Sequence, residues 1–349
     1  MRSDPTIDRV DVMDLRDWTG PGDNGLFVGV HAEGRTGWYG PVADEPARCV
    51  SAVIANTADG KRVTDHRALN AALRCAVGPR PSVAASWAVG AVDCAAWDLH
   101  GQLAGVPVAN LIAASPAKTV PLYASWLRLD LTQPSAADAV ARVGGDSWLF
   151  TKWGLRRVLT AKPQTEATHL ASTAQQAVAT LGEKAAFDTV FTWDIDLTKA
   201  FAEIVDPAAV LWLEDPLAGS DRTAYREIDR LKIPLAVGER LNICDDASAE
   251  LSPMLRAFTL DVVSCGGLTR AIDLVAQASA AGIPVFPHGR SLVPAVHLAA
   301  AFPQSVAAAE YQLQWEPIRQ LLYTEPWLPI RGRITLPTTP GLGITPRRQ

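Results

Sequence analysis

VLWLEDP at 210–216 is a four-residue apolar run that stops at two acids and a proline. A run this short and this continuously apolar fits a strand buried on both faces, as in a parallel sheet covered by helices. Related runs lie on either side: VPLYASW (120–126), WLFTKW (148–153), VFTWDI (190–195), IPLAVGE (233–239), FTLDVVSC (258–265), IPVFPH (283–288) and VAAAEYQ (306–312). Amphipathic stretches separate them. Eight β-rich runs alternating with helices predict a closed (β/α)7β TIM-like barrel.

The segment before the barrel reads differently. Leu26–Glu33 alternates like a strand, residues 34–40 are turn-rich, and helices are predicted over 45–56 and about 86–104. In the second helix Val89, Val92, Ala96, Leu99 and Leu103 recur at helical spacing, and Gly105 and Pro107 end it. We therefore expect an α+β capping domain over 1–118, a barrel over 119–325, and a segment over 326–349. That last segment, with ITLPTTPGLGITP, is too proline-rich for another βα unit and should pack back on the capping domain.

Composition bounds the function. The chain has 349 residues, 48% hydrophobic and 20% charged, with a net charge of −5. It lacks the basic surplus that phosphate backbones or anionic lipid attract, so no nucleic-acid or membrane partner is expected. The five cysteines are scattered without a CxxC pair, and the N-terminus has no apolar leader core, which together predict a cytoplasmic protein.

Seven polar side chains fall at or near the ends of runs two to eight: Lys152, Asp194, Glu214, Glu239, Asp261, His288 and Glu310. Their spacing is about one βα repeat each, so a barrel would gather them at one mouth. Three carboxylates there, Asp194, Glu214 and Glu239, would repel one another unless a cation neutralised them, and hard oxygen donors select Mg2+, or Mn2+ in its place. Asp261 can fix the tautomer of His288 and raise its basicity, while Lys152 lies across the ring. A cation flanked by two proton carriers suits removal of the proton α to a carboxylate.

AVDCAAWDLHGQLAGVPV, TKWG, LWLEDPL, VGER, SCGGLTRA, PHGRS and the PGLG tail, in this order, resemble the enolase superfamily, mandelate racemase subgroup, over nearly the whole chain. TWDIDLTKA, SCGGLTRA and FPHGRS are most similar to L-rhamnonate dehydratase and related acid-sugar dehydratases. The resemblance implies Asp194, Glu214 and Glu239 as Mg2+ ligands, an Asp261–His288 dyad, and Glu310 hydrogen-bonded to a substrate carboxylate oxygen. It also implies a homo-oligomer acting on a small-molecule carboxylate: an acid-sugar dehydratase, or alternatively a racemase or epimerase working by two-base proton transfer. One departure is Phe150-Thr151-Lys152, which keeps only the second lysine of the subgroup's Lys-x-Lys pair. Substrate-specific loops are expected at 18–25 and 37–41.

Overall fold

The computed structural model describes residues 4–15, 25–157, 162–217, 222–228, 230–231, 233–245 and 255–347. The chain opens with an antiparallel sheet of β1 (Arg9–Asp14), β2 (Leu26–Ala32) and β3 (Arg35–Val42). The turn expected over 34–40 shrinks to Glu33 and Gly34, both with positive φ (49° and 72°). Two left-handed residues match the twist of a tight hairpin, and this frees residues 35–42, with Trp38 and Tyr39, to pair as a strand. Residues 37–41 are thus strand and not a specificity loop; most of the other expected loop, 18–24, lies outside the described residues.

Helices α1 (Asp44–Cys49) and α2 (Ala55–Ala58) flank a π-helical stretch, Val50–Ile54, and are followed by α3 (His66–Ala76) and α4 (Val83–Ala104). Ser82 caps α4 by accepting from Ala85 N–H, and Gly105 ends it in the left-handed conformation (φ 73°). From Ala88 to Leu99 α4 is continuously buried because it is sandwiched between the sheet and the barrel mouth. Gly90 allows the closest approach: a Cβ there would lie 2.0 Å from Val263 O. Across the same junction Gly267, at φ 100°, leaves room for the Asp93 carboxylate, which accepts from Thr269 N–H and Asn70 Nδ2.

The barrel follows as parallel strands β4 (Thr119–Trp126), β5 (Thr151–Gly154), β6 (Ala185–Asp188), β7 (Val210–Glu214), β8 (Leu235–Val237) and β9 (Leu255–Phe258). Val285 then bridges Phe258 and Val306, and β10 (Ala309–Gln312) returns parallel to β4 and closes the ring. Most strands fall within the runs named above. The third does not: it is Ala185–Asp188, and the run at 190–195 is a turn. Val190 and Phe191 have φ of 53° and 56°, incompatible with a strand, and Thr192 ties the turn to Thr189 O. The run at 258–265 likewise begins only where β9 ends, so Asp261 sits just past that strand. At the lower end Tyr123, Phe150, Trp212 and Phe286 fill the interior, Tyr123 and Phe150 stacked at 4.6 Å. Phe150, where the lysine pair would begin, belongs to this aromatic layer.

The last strand, β11 (Arg333–Thr335), pairs antiparallel with β4 on the outside. Beyond it the chain reaches α4: Leu342 N–H donates to Asp98 Oδ1, whose other oxygen accepts from Trp38 N–H. His297 of the helix Leu292–Ala301 clamps the same segment, accepting from Ala109 N–H at Nδ1 and bonding Leu342 O through Nε2, each 3.1 Å. Burial pushes His297 down to about 4 from its ordinary 6.5, so it stays neutral in the fold. Its contribution to stability is complete above pH 6.5 and is lost as pH falls toward 4. Between pH 7 and 5 the wild type should therefore lose about 2 kcal/mol more than His297→Gln, read from urea midpoints at the two pH values. Carboxyls that titrate in the same range, such as Asp98, are common to both proteins and cancel in the difference.

Candidate active site

The barrel directs Lys152 from β5 into its centre, where the ammonium is completely buried. Its Nζ lies 2.8 Å from Glu214 Oε1 at the end of β7, 3.2 Å from Glu310 Oε1 on β10, and 3.4 Å from Asp188 Oδ2 at the end of β6. Burial alone would lower the lysine, but Glu214 and Glu310 outweigh it and hold Lys152 well above the usual ammonium range. Trp212 Nε1 donates to the other oxygen of Glu214 (2.9 Å), and Gly289 N–H donates to Glu310 Oε2 (2.7 Å).

A second group meets this one at Glu310. His288 Nε2 is 4.0 Å from Glu310 Oε2 and 3.8 Å from Glu239 Oε1, while Nδ1 is 3.3 Å from Asp261 Oδ2. Asp261 is fixed by three donors to its other oxygen, Val263 N–H, Ser264 N–H and Ser291 Oγ, all at 2.8 Å. That arrangement orients Nδ1–H toward Asp261 and turns Nε2 to the mouth. Gln312 Nε2 is 3.2 Å from His288 Nε2. Burial works against a charged imidazole here, yet Glu239, Glu310 and Asp261 together raise His288 to about 10.

Six of the seven expected side chains therefore share one mouth. Asp194 does not. It caps the helix Ile195–Ile204 by accepting from Leu197 N–H at 2.9 Å, and its second oxygen pairs with Arg157. Its side chain is 48% exposed, whereas that of Asp188 is 2% exposed among the other acids. The acid contributed by the third strand is Asp188, because the strand ends two residues before the run at 190–195 that was read in its place. The short run AAFD (185–188) was the signal in the sequence. Asp215, the acid that follows Glu214, is also part of the cluster: it is buried, its φ is 43°, and its Oδ2 has no hydrogen-bond partner among the described residues. Burial, then Glu214 and Glu239, push it well above the carboxylate range.

These acids suit a hard cation. Asp188, Glu214 and Glu239 come from three consecutive strands, all offer oxygen, and burial raises Glu214 and Glu239, so their ionised forms call for more positive charge than Lys152 alone supplies. As they stand, no three His, Cys, Asp or Glu side chains among the described residues are gathered closely enough to hold a metal ion. The Lys152 ammonium stands among them and supplies the positive charge. Beside the cluster a cleft of about 800 Å³ opens between barrel and capping domain, bounded by Glu239, Asp215, Ser264 and Trp87. Glu239 belongs to both, which makes it the point where a small molecule in the cleft would reach the buried acids.

A family model described as Enolase C-terminal domain-like matches residues 136–349. The chain belongs to that family, and so to the enolase/mandelate racemase superfamily of enzymes. Solved structures agree on the fold. A mandelate racemase/muconate lactonizing enzyme-like protein from Rubrobacter xylanophilus is 24% identical at a TM-score of 0.83, covering 99% of this chain and 96% of its own. A mandelate racemase/muconate lactonizing protein from Paracoccus denitrificans, complexed with magnesium, is 23% identical at 0.83, with 98% and 96% covered. A member of the enolase superfamily from Salmonella Typhimurium is 19% identical at 0.83, again with 98% and 96% covered. At these identities the likeness extends to architecture and leaves the reaction open.

Proposed function

We propose that this enzyme is a Mg2+-dependent acid-sugar dehydratase that acts on a small carboxylate in the cytoplasm. One observation carries the reading: Lys152 Nζ and His288 Nε2 approach the two oxygens of Glu310 from different strands, 3.2 and 4.0 Å away. Two proton carriers that flank one carboxylate can both reach one small substrate.

Asp188, Glu214 and Glu239 would hold Mg2+, which when bound stabilises negative charge developing on the substrate carboxylate. The remaining work falls to the chain. Lys152, as the amine it would become once a cation takes over the charge of Glu214, takes the C2 proton on its Nζ, and the C3–O bond then breaks as His288 Nε2 gives its proton to the departing hydroxyl, which leaves as water. The resulting enol tautomerises to a 2-keto-3-deoxy acid. Asp261 keeps His288 aligned, and Glu310 hydrogen-bonds a substrate carboxylate oxygen when that oxygen or its own is protonated.

The same pair of carriers favours one other reading, a racemase or epimerase in which Lys152 and His288 exchange protons across C2. A screen of aldonates and aldarates with Mg2+ in D2O separates the two. Keto acid formation is the expected result. Deuterium at C2 with inversion and no keto acid would replace the dehydratase reading by the epimerase one.

A further inference from the structure

Two guanidinium groups in the cleft have their faces engaged and their edges open. The guanidinium carbon of Arg240 lies 3.4 Å from the centre of the Phe191 ring, and that of Arg290 lies 4.2 Å from the centre of the Trp87 ring. Both arginines line the cleft that reaches Glu239. Neither has a carboxylate partner among the described residues, whereas Arg157 and Arg319 are each paired with acids. Stacking occupies the flat face of a guanidinium and leaves its in-plane N–H donors free, the edge that binds carboxylate or phosphate in two-point fashion.

The platforms come from opposite walls. Trp87 belongs to α4 of the capping domain, and Phe191 to the turn that follows Asp188. That turn is strained: Val190 and Phe191 both have left-handed backbones, which side chains of this kind rarely adopt. Bonds from Thr192 N–H and Oγ1 to Thr189 O hold it. The cost is spent on a turn whose aromatic ring faces the cleft beside the acids.

We propose that the substrate is a dianion, whose reacting carboxylate lies at the acid cluster while a second oxyanion at its far end, a carboxylate or a phosphate, is received by Arg240 and Arg290. This rests on the proposed reading only for where the reacting carboxylate sits. It selects aldarates or phosphorylated aldonates over 6-deoxyaldonates such as rhamnonate, whose far end is a methyl group.

Titration calorimetry on the Mg2+-loaded protein tests it, with hexarates, the matching hexonates, 6-phosphohexonates and rhamnonate as probes. At least one dianion should bind about 10-fold or more tightly than the monoanion of the same configuration. Arg240→Gln and Arg290→Gln should each remove most of that preference, and Arg→Lys should restore only part of it. The ratio of dianion to monoanion affinity within one variant is insensitive to a general loss of fold. Whether the preferred dianion is a hexarate or a phosphohexonate names the second group. Equal affinities in the wild type, an unchanged ratio in both variants, or no binding by any dianion would overturn the proposal. An arginine-dependent preference without keto acid formation would keep the second anion site and discard the dehydratase reading. Keto acid formed from monoanions alone would do the reverse.

Discussion

Asp188→Asn should weaken Mg2+ binding by about 100-fold or more, since even residues behind a metal ligand cost 10–100-fold when replaced. Asp194→Asn should leave Mg2+ affinity within about twofold. The two differ by position in the barrel: Asp188 ends β6 in register with Glu214, while Asp194 lies six residues on, capping a helix. An asparagine can still cap that helix, and losing a half-exposed pair with Arg157 costs at most about 1 kcal/mol. Calorimetric titration of both variants with Mg2+, each first shown to melt cooperatively, decides the matter. Weak binding by Asp194→Asn beside normal binding by Asp188→Asn would return the ligand to the helix cap and dissolve the cluster described here.

The reason that Asp188 was hidden is physical. AAFD is four residues long and half alanine, while VFTWDI is rich in β-branched and aromatic residues, so local propensity favours the wrong run. What makes Ala185–Asp188 a strand is its pairing with Lys152–Gly154 on one side and with Val210–Glu214 on the other. Those bonds join residues far apart in sequence. Spacing held a weaker clue, since Asp188 divides the interval between Lys152 and Glu214 more evenly than Asp194 does. Glu214, Glu239 and His288 were legible because each closes an apolar run, and Asp261 and Glu310 because each is the one acid inside such a run. The stacking of Arg240 on Phe191 and of Arg290 on Trp87 was not, because each pair joins separate elements whose meeting depends on the closed barrel and its cap.

His288→Asn should lower kcat by about 10²–10⁴-fold, the range that a positioned general acid supplies, while Mg2+ affinity changes little. Hydroxide is a poor leaving group, so loss of the 3-hydroxyl needs a proton on its oxygen as the bond breaks. His288 is equipped to give one: Glu239, Glu310 and Asp261 overcome its burial and keep the imidazole charged up to about pH 10 in the metal-free fold. Held in its protonated form, His288 is suited to donate to the leaving oxygen. Lys152 is also held as an ammonium by Glu214 and Glu310 in the metal-free fold, so it can act as the base at C2 only as the amine, once a cation takes over the charge of Glu214. With Lys152 as that base, the two steps should come apart in the variant. In D2O, His288→Asn should incorporate deuterium at C2 of a true substrate while forming little keto acid, and chelation should abolish both signals. Loss of exchange together with elimination would instead assign both proton transfers to His288 and leave Lys152 as the charge partner of Glu214 and Glu310. Keto acid formed at the wild-type rate by the folded variant would remove His288 from the reaction, and with it the purpose of the three bonds that fix Asp261 behind it.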